Sequence, residues 1–304
     1  MLQLDKAEIA ARLPWAGLVE ALRAMFVAGC YAPLRHRHDL PEGGTLLMMP
    51  AVGATHSGVK IVHVAPGNTG RGLPAVHAEY LLSDAVTGAP IALLDGGELT
   101  DRRTAAASVL AARFLARPDS RRLLIIGAGK VSAALAEAYA ASFQLEEVAI
   151  WARRPEQAAA LAMRLAVHGV PARAAASPDT TGFDIVSSAT LSREPLIHGA
   201  SLSPGMHVDL VGAFRADMRE ADGAALARAL CVVDTRIGAL AEAGDIVQAI
   251  AEGHVTADDI ACDLAELCRG QHPGRTSEAQ VTLFKSVGWA GEDLAAAMLA
   301  TQGG

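Results

Sequence analysis

Aromatic residues are scarce in this chain of 304 residues, at 4% against a hydrophobic share of 51%. The apolar content is therefore carried by alanine and aliphatic side chains, which suit helices and parallel strands and point to an α/β protein. Positive charge is also short: Lys+Arg 26 against Asp+Glu 33 leaves a net charge of -7. That balance gives no global basic field for nucleic acid or an anionic membrane surface, so an anionic ligand has to meet a local basic site. Cysteine is limited to Cys30, Cys231, Cys262 and Cys268, whose spacing matches no common zinc pattern and reads as reduced, mostly buried thiols. No apolar run approaches the ~18 to 20 residues of a membrane span. Residues 1–14 carry Asp5, Lys6, Glu8 and Arg12, and lack the apolar stretch and cleavage pattern of a signal peptide. The expectation is a soluble, cytoplasmic protein.

What is present suffices for about two domains, at roughly 100 to 200 residues each. In the first third the pattern predicts a helix over 15–28, a basic loop Leu34-Arg35-His36-Arg37-His38 after Pro33, and short strands at 45–49, 59–64, 79–82 and 91–94 separated by Gly, Pro and Asn. A helix over 105–116 is expected to be capped by Thr100 or Asp101 and to stop before Pro118. From Arg121 onward, strands at 123–126, 148–151, 184–188, 207–211 and 231–234 alternate with helices at 131–142, 155–168 and 221–229. That alternation signals a parallel sheet with crossover helices. Residues 276–301 read as helical with a break near Gly288 and Gly291, long enough to leave the second domain and return to the first.

The apolar run Leu123-Leu124-Ile125-Ile126 leads into Gly127-Ala128-Gly129-Lys130-Val131-Ser132. A glycine turn between strand and helix turns backbone N–H groups and the positive helix end toward a pyrophosphate, and the small Ser132 permits close helix packing. At the end of the next strand, where an NAD site usually offers an acid to the ribose hydroxyls, the chain has Ala152-Arg153-Arg154. Two guanidiniums and no carboxylate favour the 2′-phosphate of NADPH, with NADH as the alternative and solvated strand-end charges as the simpler reading.

Arg35, Arg37, Lys60 and the pair Arg102-Arg103 concentrate positive charge near turns of the first third. Arginine holds a carboxylate through two parallel N–H bonds. Lys60, in Val59-Lys60-Ile61-Val62, would be costly to bury unpartnered, so it points at a pocket or, by the alternation of the strand, at solvent. From the residues alone each of these is better explained as a surface charge. His36, His38, His63 and His77 complete no metal-ligand spacing, so no metal is expected.

Several ordered segments carry a resemblance to a known family. They are Val59-Lys60-Ile61-Val62 with Pro66-Gly67-Asn68, Leu99-Thr100-Asp101-Arg102-Arg103-Thr104, Ile126-Gly127-Ala128-Gly129, Asp184-Ile185-Val186-Ser187-Ser188-Ala189-Thr190, Val208-Asp209-Leu210-Val211-Gly212-Ala213-Phe214 with Asp217-Met218-Arg219-Glu220, Cys262-Asp263-Leu264, and Thr282-Leu283-Phe284-Lys285-Ser286-Val287-Gly288. Together they resemble the ornithine cyclodeaminase and mu-crystallin family over nearly the whole chain. The resemblance implies a homodimer with an α+β substrate-binding and dimerisation domain over 1–117, completed by 288–304, and a Rossmann NAD(P)-binding domain over 118–287. It also implies that Arg35, Lys60 and Arg103 hold the substrate carboxylate, with Lys60 and Arg103 catalytic. Cofactor contacts are implied at Thr104, Gly127, Ala128, Gly129, Lys130, Val131, Arg153 and Arg154, and at Ala189, Thr190, Gly212, Ser286 and Gly288.

One departure bears on the reaction. Where cyclodeaminases of this family carry an aspartate after Val-Gly and one further residue, this chain has Phe214, and a phenyl ring cannot exchange a proton or orient water. The chain therefore resembles the reductase branch, which reduces 1-pyrroline-2-carboxylate and 1-piperideine-2-carboxylate to L-proline and L-pipecolate. Phe214 would then line the substrate site. The alternatives are an acid supplied by Asp209 or Asp217, which would suit an ornithine cyclodeaminase, an alanine dehydrogenase-like activity, or a non-catalytic protein that binds NADPH or a small ligand.

Overall fold

The computed structural model describes residues 1–302. It forms two compact units, Met1–Arg103 together with the segment from Trp289 onward, and Thr104–Gly288. The first contains β1 (Leu2–Leu4), α1 (Lys6–Arg12), α2 (Trp15–Ala28), β2 (His36–Asp39), β3 (Thr45–Val52), β4 (His56–Val64), β5 (Val76–Asp84) and β6 (Pro90–Asp95). Its sheet runs β1-β6-β5-β4-β3-β2, with β1 parallel to β6 and every other pair antiparallel. The alternation of side chains gives this sheet one buried face, to which Met49, Lys60, Tyr80, Leu82 and Leu94 belong. Lys60 lies directly across from Met49 on one neighbouring strand and Tyr80 on the other. The solvent-facing option for Lys60 is thereby corrected, since it is only 2% exposed.

α3 (Gly96–Leu115) begins earlier than its alanine-rich part. Its cap is Asp95, whose side chain accepts from the Glu98 amide at 2.7 Å, rather than Thr100 or Asp101. Thr100 lies inside the helix and donates its hydroxyl to the Gly96 carbonyl at 2.6 Å. Propensity hides this start because Gly96 and Gly97 are poor helix formers. Gly96 is nevertheless required, because a Cβ there would come within 2.7 Å of the Ala78–Glu79 backbone. The division between the units falls within α3, at Arg103 and Thr104.

The second unit contains β7 (Arg122–Ile126), α4 (Lys130–Ser142), β8 (Glu147–Trp151), α5 (Pro155–Val167), β9 (Ala172–Ala174), β10 (Ile185–Ser188), β11 (His207–Leu210), α6 (Gly223–Arg228), β12 (Leu230–Val233), α7 (Arg236–Glu242), α8 (Gly244–Ala251), β13 (Ile260–Asp263), α9 (Leu264–Cys268) and β14 (Thr282–Lys285). All eight strands are parallel, in the order β13-β12-β14-β11-β10-β7-β8-β9. The chain winds outward in one direction from β7 and in the other from β10, which makes their carboxyl ends a topological switch point where such sheets bind ligands.

β14 corrects the expectation of a helix over 276–301. All four of its residues are buried between β11 and β12, and only α10 (Ala290–Thr301) is helical. α10 returns to the first unit and buries both acids of its first turn, Glu292 and Asp293. No helix among the described residues is long and apolar enough to cross a membrane.

Candidate active site

The glycine turn after β7 has the form that a dinucleotide pyrophosphate requires. Gly127 has φ 124, and a Cβ on it would come within 2.7 Å of the Ala189 carbonyl oxygen and 2.8 Å of Ser132 Oγ. The close packing that needs glycine here joins the carboxyl ends of β7 and β10. Gly129 differs: a Cβ on it would meet nothing within 4 Å. Gly129 caps α4 without a side-chain hydrogen bond, so the first amides of a helix of 13 residues face that open space. Ala128 is half-buried, Lys130 exposed and Val131 half-buried around this opening. Arg153 and Arg154 are both exposed just beyond β8, and neither forms an ion pair among the described residues.

The remaining sequence-selected residues of this unit divide by what their polar groups already do. Thr104 is buried in α3, and its hydroxyl has no hydrogen-bond partner among the described residues. Ala189 donates its amide to the Ile126 carbonyl at 2.9 Å. Thr190 gives its amide and hydroxyl to Glu220 at 2.7 and 2.8 Å. Asp234 accepts from the amides of Val287 at 2.8 Å and Gly288 at 2.6 Å and from Ser286 Oγ at 3.3 Å. Ser286 and Gly288 therefore shape the turn after β14 while these donors serve Asp234.

In the first unit Lys60 and Arg103 converge on α10, while Arg35 is half-buried just before β2. Lys60 Nζ donates to Asp293 Oδ1 at 2.9 Å. Arg103 Nε reaches the same carboxylate at 3.0 Å, while its Nη1 donates to Glu292 Oε2 at 2.6 Å. No hydrogen bond from Arg103 Nη2 is present among the described residues. Burial pulls the Lys60 ammonium down and the Arg103 charge adds to this; Asp293 resists, Arg35 contributes, and the pKa settles at about 8. Burial works against the Asp293 carboxylate too, but the Arg103 and Lys60 charges outweigh it and hold the pKa below the usual value. Lys60, Arg103, Glu292 and Asp293 thus form one buried network of two cations and two carboxylates, and the half-buried Arg35 acts on Lys60 through its charge. Acids in the first turn of α10 are also favoured by the helix dipole. Glu292 and Asp293 were not selected from sequence, where two acids opening an alanine-rich helix read as an ordinary solvated first turn.

The Ornithine cyclodeaminase/mu-crystallin family profile matches residues 20–302. The chain belongs to the ornithine cyclodeaminase/mu-crystallin family. The Delta(1)-pyrroline-2-carboxylate reductase of Paracoccus denitrificans is 43% identical over 300 residues, spanning 96% of this chain and 93% of that protein. The Thermococcus litoralis Delta(1)-pyrroline-2-carboxylate reductase in complex with NADH and L-proline superposes with a TM-score of 0.94 at 34% identity, covering 99% of this chain and 97% of that one. An archaeal alanine dehydrogenase dimer with bound NAD superposes at 0.92 with 28% identity, covering 99% and 95%.

Within the ornithine cyclodeaminase/mu-crystallin family, the residues after β11 bear on the choice of reaction. Phe214 is 37% exposed and follows Ala213, whose φ of 50 is strained for a residue with a Cβ. The two candidate acids are occupied elsewhere. Asp209 is fully buried and accepts from Ser108, Ser187 and Tyr139 at 3.0, 2.5 and 3.2 Å. Burial raises its pKa to about 6 against the pull of these bonds. Asp217 is at the surface, paired with Arg215 and Arg193 at 3.0 Å each.

Proposed function

We propose that this chain reduces a cyclic imino acid, 1-pyrroline-2-carboxylate or 1-piperideine-2-carboxylate, to L-proline or L-pipecolate, with NADPH as the preferred donor. The observation that carries this reading is Phe214, an exposed ring where a deaminating enzyme of this family needs an acid, in a chain that is 43% identical to a Delta(1)-pyrroline-2-carboxylate reductase. The reaction adds a hydride to C2 of the C=N bond and leaves one proton on the ring nitrogen. The glycine turn suits the pyrophosphate of a nicotinamide dinucleotide, because it offers free amides beside an open space. When bound, the reduced dinucleotide supplies the hydride.

We assign to Arg35, Lys60 and Arg103 the substrate carboxylate, with Nη2 of Arg103 as its donor and Glu292 and Asp293 fixing the guanidinium plane. A protonated imine is already a strong hydride acceptor, so orientation and electrostatics carry most of the rate. Lys60 adds charge beside the carboxylate and lends its proton to the imine nitrogen. We assign dimerisation to the first unit. The sheet face opposite Lys60 carries exposed Val52 and Ile61 beside half-buried Met48, Pro50, Val59 and Leu81, an apolar surface suited to a second copy.

The deciding experiment follows NADPH and NADH oxidation with both imines, beside an ammonia assay with ornithine. Imine-dependent oxidation without ammonia release is expected. Ammonia from ornithine, or NADPH binding with no turnover of either imine, overturns the reading.

The Lys60 environment sets the pH response. Its ammonium is charged below its pKa of about 8 and neutral above it. The KM for the anionic imine should therefore be flat below that value and rise as the pH passes through it. Lys60→Arg stays charged throughout and should remove the inflection. Initial rates from about pH 6 to pH 10 read this directly, and a wild-type KM independent of pH across that window contradicts the assignment.

A further inference from the structure

The carboxyl ends of β10 and β11 are tied together by one carboxylate that lies outside the substrate and cofactor contacts assigned above. Glu220 is fully buried. Its Oε1 accepts from Ser188 Oγ at 2.6 Å, the Thr190 amide at 2.7 Å and Thr190 Oγ1 at 2.8 Å. From the β11 side, Gly212 packs directly onto it: a Cβ there would sit 2.6 Å from the Glu220 carboxyl carbon and would collide with the Thr190 carbonyl. Asp245 holds the Glu220 backbone, accepting from the amides of Glu220 at 2.6 Å and Ala221 at 2.9 Å. Lys285 closes the cluster, donating to the Gly212 carbonyl and lying 3.2 Å from Asp245 Oδ2.

We propose that Glu220 is a positioning residue, which acts through Thr190 and Gly212, two of the cofactor contacts that the family resemblance implies, to fix the loops after β10 and β11 for dinucleotide binding. The identity of the reaction rests on the reductase reading above, but the effect on dinucleotide binding does not. Three observations support a role beyond packing. The clamp joins the loop after β10, at the switch point, to the loop after β11, which leads into the strained Ala213 and the exposed Phe214. Glu220 Oε2 is buried with no hydrogen-bond partner among the described residues, a cost that packing alone does not offset. Lys285 is the cation whose charge acts on Asp209, Glu220 and Asp234 and which pairs with Asp245. Burial raises Glu220, Lys285 resists and Asp245 adds, bringing the pKa to about 7. The bonds from Ser188 and Thr190 pull the pKa down against burial, so the ionised Glu220 is the form that holds these donors more tightly and a neutral one loosens the clamp.

The test uses the full-length protein with Glu220→Gln and Glu220→Ala. NADH is the probe, since it lacks the 2′-phosphate whose own ionisation would add a second pH effect. Its dissociation constant is read by fluorescence from about pH 6 to pH 8.5, beside kcat and KM for the imine. Wild type should gain NADH affinity about threefold or more as the pH rises through 7. Glu220→Gln, neutral and isosteric, should keep the low-pH affinity across the range, while Glu220→Ala should bind NADH about tenfold more weakly at every pH. The alanine variant should lower kcat more than it raises the imine KM, and the glutamine variant should restore kcat. Should Glu220→Ala fail to fold, Thr190→Val removes one bond of the clamp and should weaken NADH binding without moving the pH midpoint. A glutamine variant with the wild-type pH dependence, or alanine and valine variants with wild-type affinity, overturns the proposal. If wild type reduces no imine, the reductase reading fails and the NADH measurements still decide the role of Glu220.

Discussion

Arg103→Ala should lower kcat/KM for imine reduction by about 100-fold or more while leaving the NADPH dissociation constant within about twofold of wild type. Each hydrogen bond to a charged group contributes about 1.5 to 3 kcal/mol, so loss of a guanidinium from a carboxylate site is a change of this order. The substitution also takes from Asp293 and Glu292 the contacts at 3.0 and 2.6 Å that offset their burial. Breaking a buried pair from one side costs about 3 to 5 kcal/mol of stability, so a lower melting temperature is part of the expected result. Arg103→Lys separates the two effects. It keeps a charge near the acids and should recover most of the stability, yet it lacks the planar fork and should leave the imine KM raised about tenfold. An Arg103→Ala protein that folds, binds NADPH and reduces imine at the wild-type kcat/KM would sink the substrate-binding role.

How much of this site was legible in the sequence depends on whether its partners are local. The glycine turn is a contiguous strand, turn and helix, and its pattern alone indicates the backbone amides at the start of α4. Lys60 shows the opposite case. Strand alternation says which residues share its face but not which face is inward, and its partner Asp293 lies 233 positions away on α10, a helix of the same unit. The resemblance to the family could name Arg35, Lys60 and Arg103, but the acids that pair with Lys60 and Arg103 carry no local signal. β14 was read as helix for a related reason. Four residues ending in Lys285 show no clear alternation, and a lysine in a central parallel strand is explicable only once Asp245 and the Gly212 carbonyl are beside it. Glu220 likewise sits in a short polar segment, Asp217-Met218-Arg219-Glu220, in which nothing local separates a surface acid from a buried one.

The exposed pair beyond β8 should decide the cofactor preference. The double substitution Arg153→Ala with Arg154→Ala is expected to raise the KM for NADPH by about 10- to 100-fold and to leave the KM for NADH nearly unchanged. The asymmetry follows from chemistry, because only NADPH carries a 2′-phosphate and no carboxylate stands at the strand end to take the ribose hydroxyls of NADH. Since both guanidiniums face solvent, their contribution is screened, so the wild-type preference for NADPH should shrink as ionic strength rises while the double variant shows little salt dependence. A phosphate monoester gains its second charge at a pH of about 6, so the preference should also grow as the pH rises through that value and be lost in the double variant. Equal losses for both cofactors would instead identify the pair as supports for the start of α5, where Arg154 occupies the position before Pro155. An unchanged NADPH KM would mean that neither guanidinium reaches the phosphate, and selectivity would then have to come from the turn at Gly127–Lys130, where Lys130 is the exposed cation nearest in sequence.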